Sequence, residues 1–201
     1  MNNFYLLLIF IVFAFAKANS QVVINELDAD TPSTNDRQFV ELKTDSPFQT
    51  LENMVLVFYN GSNSSSTGGG RVYYTYDLNG LTSDVNGLLV LGSSLVSPAV
   101  DARLAESNIQ LGADAVAVYF GSPQDFPDLS VIMRNQNLID GLVYDTDDAD
   151  VQILLDGLDE TVQYNENENG NKTTESIQRK EDGTYEVKAP TPHSLNDATE
   201  T

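Results

Sequence analysis

Short apolar runs punctuated by Gly, Asn, Asp and Ser dominate the chain after its first twenty residues. "VVINEL" (22–27) and "QFVELK" (38–43) predict the first two strands, and "MVLVFYN" (54–60) a third. "RVYYTYDL" (71–78) carries the aromatic and β-branched residues that suit a pleated, half-buried surface. "GLLVLG" (87–92) is bounded by glycine at both ends. In "ADAVAVYFG" (113–121) alternation puts Val116, Val118 and Phe120 on one face and Ala115, Ala117 and Tyr119 on the other. "LIDGLVYD" (138–145) predicts the next strand, and "SIQRK" and "TYEVK" within 176–188 predict a closing hairpin turned by Glu181, Asp182 and Gly183.

About nine strands follow from this pattern, with little room for helices. "VQILLDGL" (151–158) alone reads equally as a helical turn or a short strand. The expected fold is all-β, a sandwich of two antiparallel sheets packed face to face, because nothing between the strands looks able to cover a second apolar face. "GSNSSSTGGG" (61–70) reads as a flexible loop and "NENENGNKTTE" (165–175) as an exposed one. "APTPHSLNDATET" (189–201) reads as an irregular tail, laid over the last strand or free.

The beginning of the chain is of another kind. Phe4 to Ala16 is an apolar run too short to cross a bilayer comfortably, followed by Lys17 and the small residues Ala18, Asn19 and Ser20. Residues 1–20 therefore read as a secretory signal, which places the domain at 21–188 outside the cell, with no membrane attachment after cleavage.

Composition narrows the chemistry. Thirty acidic residues against ten basic ones give a net charge of −20, which repels a phosphate backbone and argues against nucleic acid as a partner. Such a surface suits solubility and the gathering of divalent cations. No cysteine is present, which excludes thiol chemistry and thiolate zinc sites, and one histidine, His193, excludes a histidine-rich metal centre. The sequons at Asn60, Asn63 and Asn171 matter only where the host attaches glycans.

The acidic clusters are the candidate sites. Glu26, Asp28 and Asp30 share a face if "INELDAD" stays extended, and three like charges there need solvent, a basic partner or a cation. The plainer reading is that Asp28 and Asp30 shape the turn before "TPST". "YDTDDAD" (144–150) offers Asp145, Asp147, Asp148 and Asp150 at spacings a calcium ion could use, although the glycine of a turning DxDxDG loop is missing. The two Asp-x-Asn-Gly copies at 77–80 and 84–87 read first as tight turns and second as fragments of a calcium loop. Glu26 and Glu41 lie inside apolar runs, so burial would require partners, with Arg37, Arg71 and backbone amides as candidates. Tyr73, Tyr74, Tyr76 and Tyr119 cannot all face one core, so some are expected outward, able to meet a protein or a sugar ring.

The order of these pieces resembles the lamin-tail domain of secreted bacterial proteins. "VVINELDAD" (22–30), "QFVELK", "LENMVLVFYNG" (51–61), "GLLVLG", "ADAVAVYFG", "LIDGLVYD", "TESIQRKEDGTYEV" (174–187) and "TPHSLND" (191–197) carry the likeness. The resemblance implies an immunoglobulin-like β-sandwich that is generally non-catalytic and serves binding, anchoring or attachment. It gives structural weight to Asn25, Glu26 and Glu41 and to a Ser-x-x-Arg-like pair, Ser176 and Arg179. His193-Ser194 departs from the family, which commonly has Gly after "TP". The expectation is a secreted binding or structural module for a protein, a glycan or a surface, without cofactor. The alternative is a calcium-dependent hydrolase, or an accessory module of a nuclease or phosphoesterase, which requires the carboxylates to converge on a metal.

Overall fold

The alternation in "ADAVAVYFG" separates two apolar layers in the folded chain. The computed structural model describes residues 22–62, 69–134 and 137–197. Val116 and Val118 face a core between two sheets, while Ala115, Ala117 and Tyr119 face a second apolar cluster on the other side of the same strand.

Among the described residues eleven strands make two sheets: β1 (Val22–Asp28), β2 (Phe39–Thr44), β3 (Met54–Asn60), β4 (Arg71–Asp77), β5 (Leu88–Gly92), β6 (Ala102–Arg103), β7 (Asp114–Phe120), β8 (Leu138–Asp145), β9 (Gln163–Asn165), β10 (Ser176–Arg179) and β11 (Tyr185–Lys188). The first sheet runs β11-β10-β1-β2-β5-β6, the second β4-β3-β7-β8-β9. The sheets are mixed, which corrects the expectation of two antiparallel ones. β6 pairs with β5 and β9 with β8 in parallel. These two strands, of two and three residues, are the ones the hydrophobic pattern does not reveal, since neither is long enough to alternate.

The central core joins Ile24, Leu27, Val40, Leu42, Leu89 and Leu91 of the first sheet to Leu56, Phe58, Val116, Val118 and Leu142 of the second. The outer face of the second sheet is also apolar and is covered, contrary to the sequence expectation. The helix α2 (Gln152–Leu158), which follows the single turn α1 (Pro32–Asn35), brings Leu154, Leu155 and Leu158 onto Val55, Val57 and Tyr119. Phe126 and Ile132 close the rest of this layer. The ambiguous run at 151–158 is thus helical. Tyr119 is fully buried there, with its hydroxyl 3.1 Å from that of Tyr59, whereas Tyr73, Tyr74 and Tyr76 pack against the central core, so the four tyrosines do not share one core.

A bulge between Ile24 and Glu26 makes Asn25 an extra residue in β1. Bulged residues re-aim side chains. Ile24 and Leu27 enter the core, while Asn25 and Glu26 both reach polar groups on the outer face of the first sheet. Polar chemistry also joins the two sheets. Asp140 of β8 accepts the Ile24 amide at 2.7 Å and pairs with Arg179 of β10 at 3.2 Å. Burial pushes the Asp140 carboxyl up, and the Arg179 charge pulls it back.

Candidate functional site

Two carboxylates sit side by side at the centre of the first sheet. Glu26 and Glu41 are cross-strand partners in register, and neither has any solvent exposure. Arg37 and Arg71 do not neutralise them: Arg37 pairs with Asp36, and Arg71 donates to the Leu129 carbonyl. Instead they receive a set of neutral donors. Glu26 accepts from the Ser176 hydroxyl at 2.6 Å, the Gln178 carboxamide at 3.3 Å, the Thr191 amide at 2.8 Å and the Thr191 hydroxyl at 2.8 Å. Glu41 accepts from Asn25 Nδ2 and from the His193 amide, each at 2.7 Å.

The C-terminal segment therefore lies over β1 and β2. Asn196 completes the contact, donating to the carbonyls of Asn25 and Arg179. Burial raises the Glu26 carboxyl and pushes Glu41 up to about 8, in each case against hydrogen bonds that pull it down. Ser176 and Arg179, singled out by the family resemblance, take separate parts. Ser176 faces Glu26, whereas Arg179 holds Asp140 and the Tyr185 hydroxyl.

The acidic residues after β1 gather around Glu166 rather than around the 145–150 carboxylates. Asp28 and Asp30 lie near Glu166, and Lys172 stands between this group and the 145–150 loop. Its ammonium is 3.3 Å from Asp30 Oδ2 and 3.3 Å from the Thr146 carbonyl. The positive charge of Lys172 also favours the ionised forms of Asp147 and Glu166.

Glu166 is the residue the sequence reading missed. It lies within the segment taken for an exposed loop, yet it is fully buried and accepts the amides of Ala29 and Asp30 at 2.7 and 2.9 Å. Its two oxygens, more than Asp28 or Asp30 themselves, shape the turn after β1. Burial pushes its carboxyl up to about 8. Asp28 stays buried, with Oδ1 lacking a hydrogen-bond partner among the described residues, and burial raises its carboxyl well above the ordinary range, with Glu166, Glu26 and Asp30 adding to the effect.

The 145–150 carboxylates do not form one constellation. Asp145 is buried and accepts the amides of Asp147 and Asp148 through Oδ1 and the Gln163 carboxamide through Oδ2. Asp147 accepts from the side chains of Asn165 and Asn167, which hold its carboxyl below the usual range. Asp148 and Asp150 are exposed. Among the described residues no three acidic or histidine side chains are grouped as metal ligands. The two Asp-x-Asn-Gly copies are matching turns. Asp77 and Asp84 each accept the amide two residues on, and Gly80 and Gly87 follow with φ of 85° and 79°.

The remaining candidates are dispersed. Tyr73, Tyr74 and Tyr76 are partly buried along β4 at the sheet edge, packed against the central core. His193 Nε2 lies 3.0 Å from the Ala99 carbonyl and 3.8 Å from Asp101, and its Nδ1 lies 4.0 Å from Asp84. Asn60 of the first sequon is bonded to Gln110 and Ser62, Asn171 is exposed, and Asn63 lies outside the described residues, as does the expected signal at 1–20. Among the described residues no helix is long and apolar enough to cross a membrane. Comparison with family models, curated proteins and solved structures gives no match.

An open groove of about 660 Å³ continues from the tail across the first sheet. Val23, Lys43 and Asp45 line its floor, the β10–β11 turn one wall, and Leu195–Asp197 the other. Its lining is polar and of both charges, without an aromatic platform.

Proposed function

We propose that the chain is a secreted, non-catalytic binding or attachment module with an immunoglobulin-like sandwich of the lamin-tail kind. The observation that carries this reading is how the buried carboxylates are used. Glu26, Glu41 and Glu166 each accept main-chain N–H groups from a segment distant in sequence, so each fastens one part of the fold to another. A catalytic acid and base need a reacting group within hydrogen-bond reach, and a metal mechanism needs free carboxylate oxygens that converge. Here segment 191–193 occupies the space above Glu26 and Glu41, and Lys172 supplies a cation beside Asp30.

The exposed parts of Tyr74 and Tyr76 on the edge strand and the polar groove beside the tail are the surfaces offered to an extracellular protein or glycan. Calorimetric titration with calcium, run beside hydrolysis assays on a phosphodiester and a phosphomonoester, tests the reading against the calcium-dependent hydrolase. The module predicts no turnover with or without calcium. Turnover that depends on calcium and is lost in Glu26→Gln or Asp28→Asn would overturn it.

A further inference from the structure

The segment that covers Glu26 and Glu41 is held by polar contacts alone. Residues 189–197 belong to no strand, and none of them is buried or enters an apolar cluster. Their attachment is polar: Thr191 to Glu26, the His193 amide to Glu41, Asn196 to Asn25 and Arg179, and Gln178 Nε2 to the Ala189 carbonyl. Segments with few apolar contacts open at the low end of the stability range.

The residues that receive the segment lie beneath it. Asn25, Glu26, Glu41, Ser176 and Gln178 are all buried, on three neighbouring strands of the first sheet. They are organised among themselves, with Ser176 Oγ on Glu26 Oε1 and Gln178 Nε2 on Ser176 Oγ. The cleft reads two main-chain N–H groups at alternate positions, a hydroxyl at the first and a carboxamide five residues on. Pro190 and Pro192 hold φ fixed around Thr191, which lowers the entropy lost when the segment settles.

We propose that this cleft is a peptide-recognition site occupied in cis by residues 191–196, and that the same segment of a second copy is its exchange partner. Both parts of the contact are present in every molecule, so a released tail fits its neighbour's cleft as well as its own. A short tether gives the chain's own tail an effective concentration on the order of millimolar, so exchange is a property of crowded copies. The net charge of −20 opposes such pairing at low salt. The inference does not depend on which outside ligand the module binds.

The test uses the full chain carrying Thr191→Val and Asn196→Ala, which weakens the tail and leaves the cleft intact. The probe is a dye-labelled peptide with the sequence of residues 189–197, APTPHSLND. The expected result is binding by anisotropy about tenfold tighter to the variant than to the wild-type chain. The unlabelled peptide should raise the variant's melting temperature, and the same residues in scrambled order should do neither. A folded variant that ignores the peptide up to about 1 mM, or that binds the scrambled peptide equally, overturns the proposal. Should the double variant not fold, sedimentation of the wild-type chain at high salt decides. A reversible dimer lost in Thr191→Val supports exchange, and a monomer at every concentration up to about 1 mM overturns it.

Discussion

Glu26 and Glu41 face each other across β1 and β2, fully buried, and each accepts a main-chain N–H from the C-terminal segment, Thr191 for one and His193 for the other. Two like-charged groups in register are ordinarily unfavourable. Here burial raises both carboxyls, so each keeps its proton to a higher pH in the folded chain than in the unfolded one. The pair is a clasp, and its consequences can be measured.

Removing the Glu26 side chain strands its partners. Glu26→Ala leaves the Thr191 amide without its acceptor and the buried Ser176 hydroxyl with only the Lys188 carbonyl at 3.4 Å, a loss of about 2–3 kcal/mol, with larger values if the cleft cannot close. Glu26→Gln keeps the shape and one acceptor oxygen and should cost clearly less. Chemical denaturation of the two variants checks the order, and equal losses would contradict the donor set described for Glu26.

Stability should fall as the pH rises. Glu41 and Glu166 are pushed up to about 8 from an ordinary 4.5, and Asp114 to about 6 from 3.8, in each case by burial first. A carboxyl with a raised folded value binds its proton more tightly in the folded state. Its contribution is complete below the unfolded value and is lost as the pH passes through the folded one. The thermal midpoint at pH 5 is therefore expected above that at pH 9 at matched ionic strength, and Glu41→Gln should flatten the slope. A midpoint that rises from pH 5 to pH 9 would show the sign to be wrong.

Lys172 tests the acidic group around Glu166. Its side chain is about a third exposed, so the pair with Asp30 is worth about 1 kcal/mol or less by itself. Lys172→Met removes the cation shared by Asp30, Asp147 and Glu166, and the variant should melt lower. Added calcium should then raise the variant's midpoint more than that of the wild-type chain. An equal calcium response in both would mean that Lys172 does not stand where a cation is needed.

The two Asp-x-Asn-Gly turns should respond differently to the same change. Gly80→Ala meets no atom within 4 Å and costs only the left-handed conformation, about 1 kcal/mol. Gly87→Ala pays that cost and also places its Cβ 2.8 Å from the Thr44 carbonyl oxygen, a backbone atom. Melting curves should rank Gly87→Ala well below Gly80→Ala.

Nine of the strands were legible as short runs of apolar, β-branched and aromatic residues bounded by turn residues, as in Asp114–Phe120. β6 and β9 were not, being two and three residues long and defined by their neighbours. The second apolar layer was visible in the alternation of Ala115, Ala117 and Tyr119, but its cover was not, because α2 is a seven-residue helix within an ambiguous run. In the candidate site, Glu26 and Glu41 stood out as charges within apolar runs. Their partners did not, since Thr191 and His193 lie in a proline-containing stretch without periodicity. Glu166 was hidden for the same reason: it lies 137 positions from the Ala29 amide it accepts, among asparagines typical of solvent-exposed loops.

Amide hydrogen exchange at Thr191 and His193, measured by NMR at fixed pH on the full chain, tests the clasp most directly. The account predicts slowed exchange at both positions, weaker than in the interior of β2 and lost together when Glu26 and Glu41 are replaced by alanine. Exchange at the rate of an unstructured peptide at both positions in the wild-type chain would contradict it.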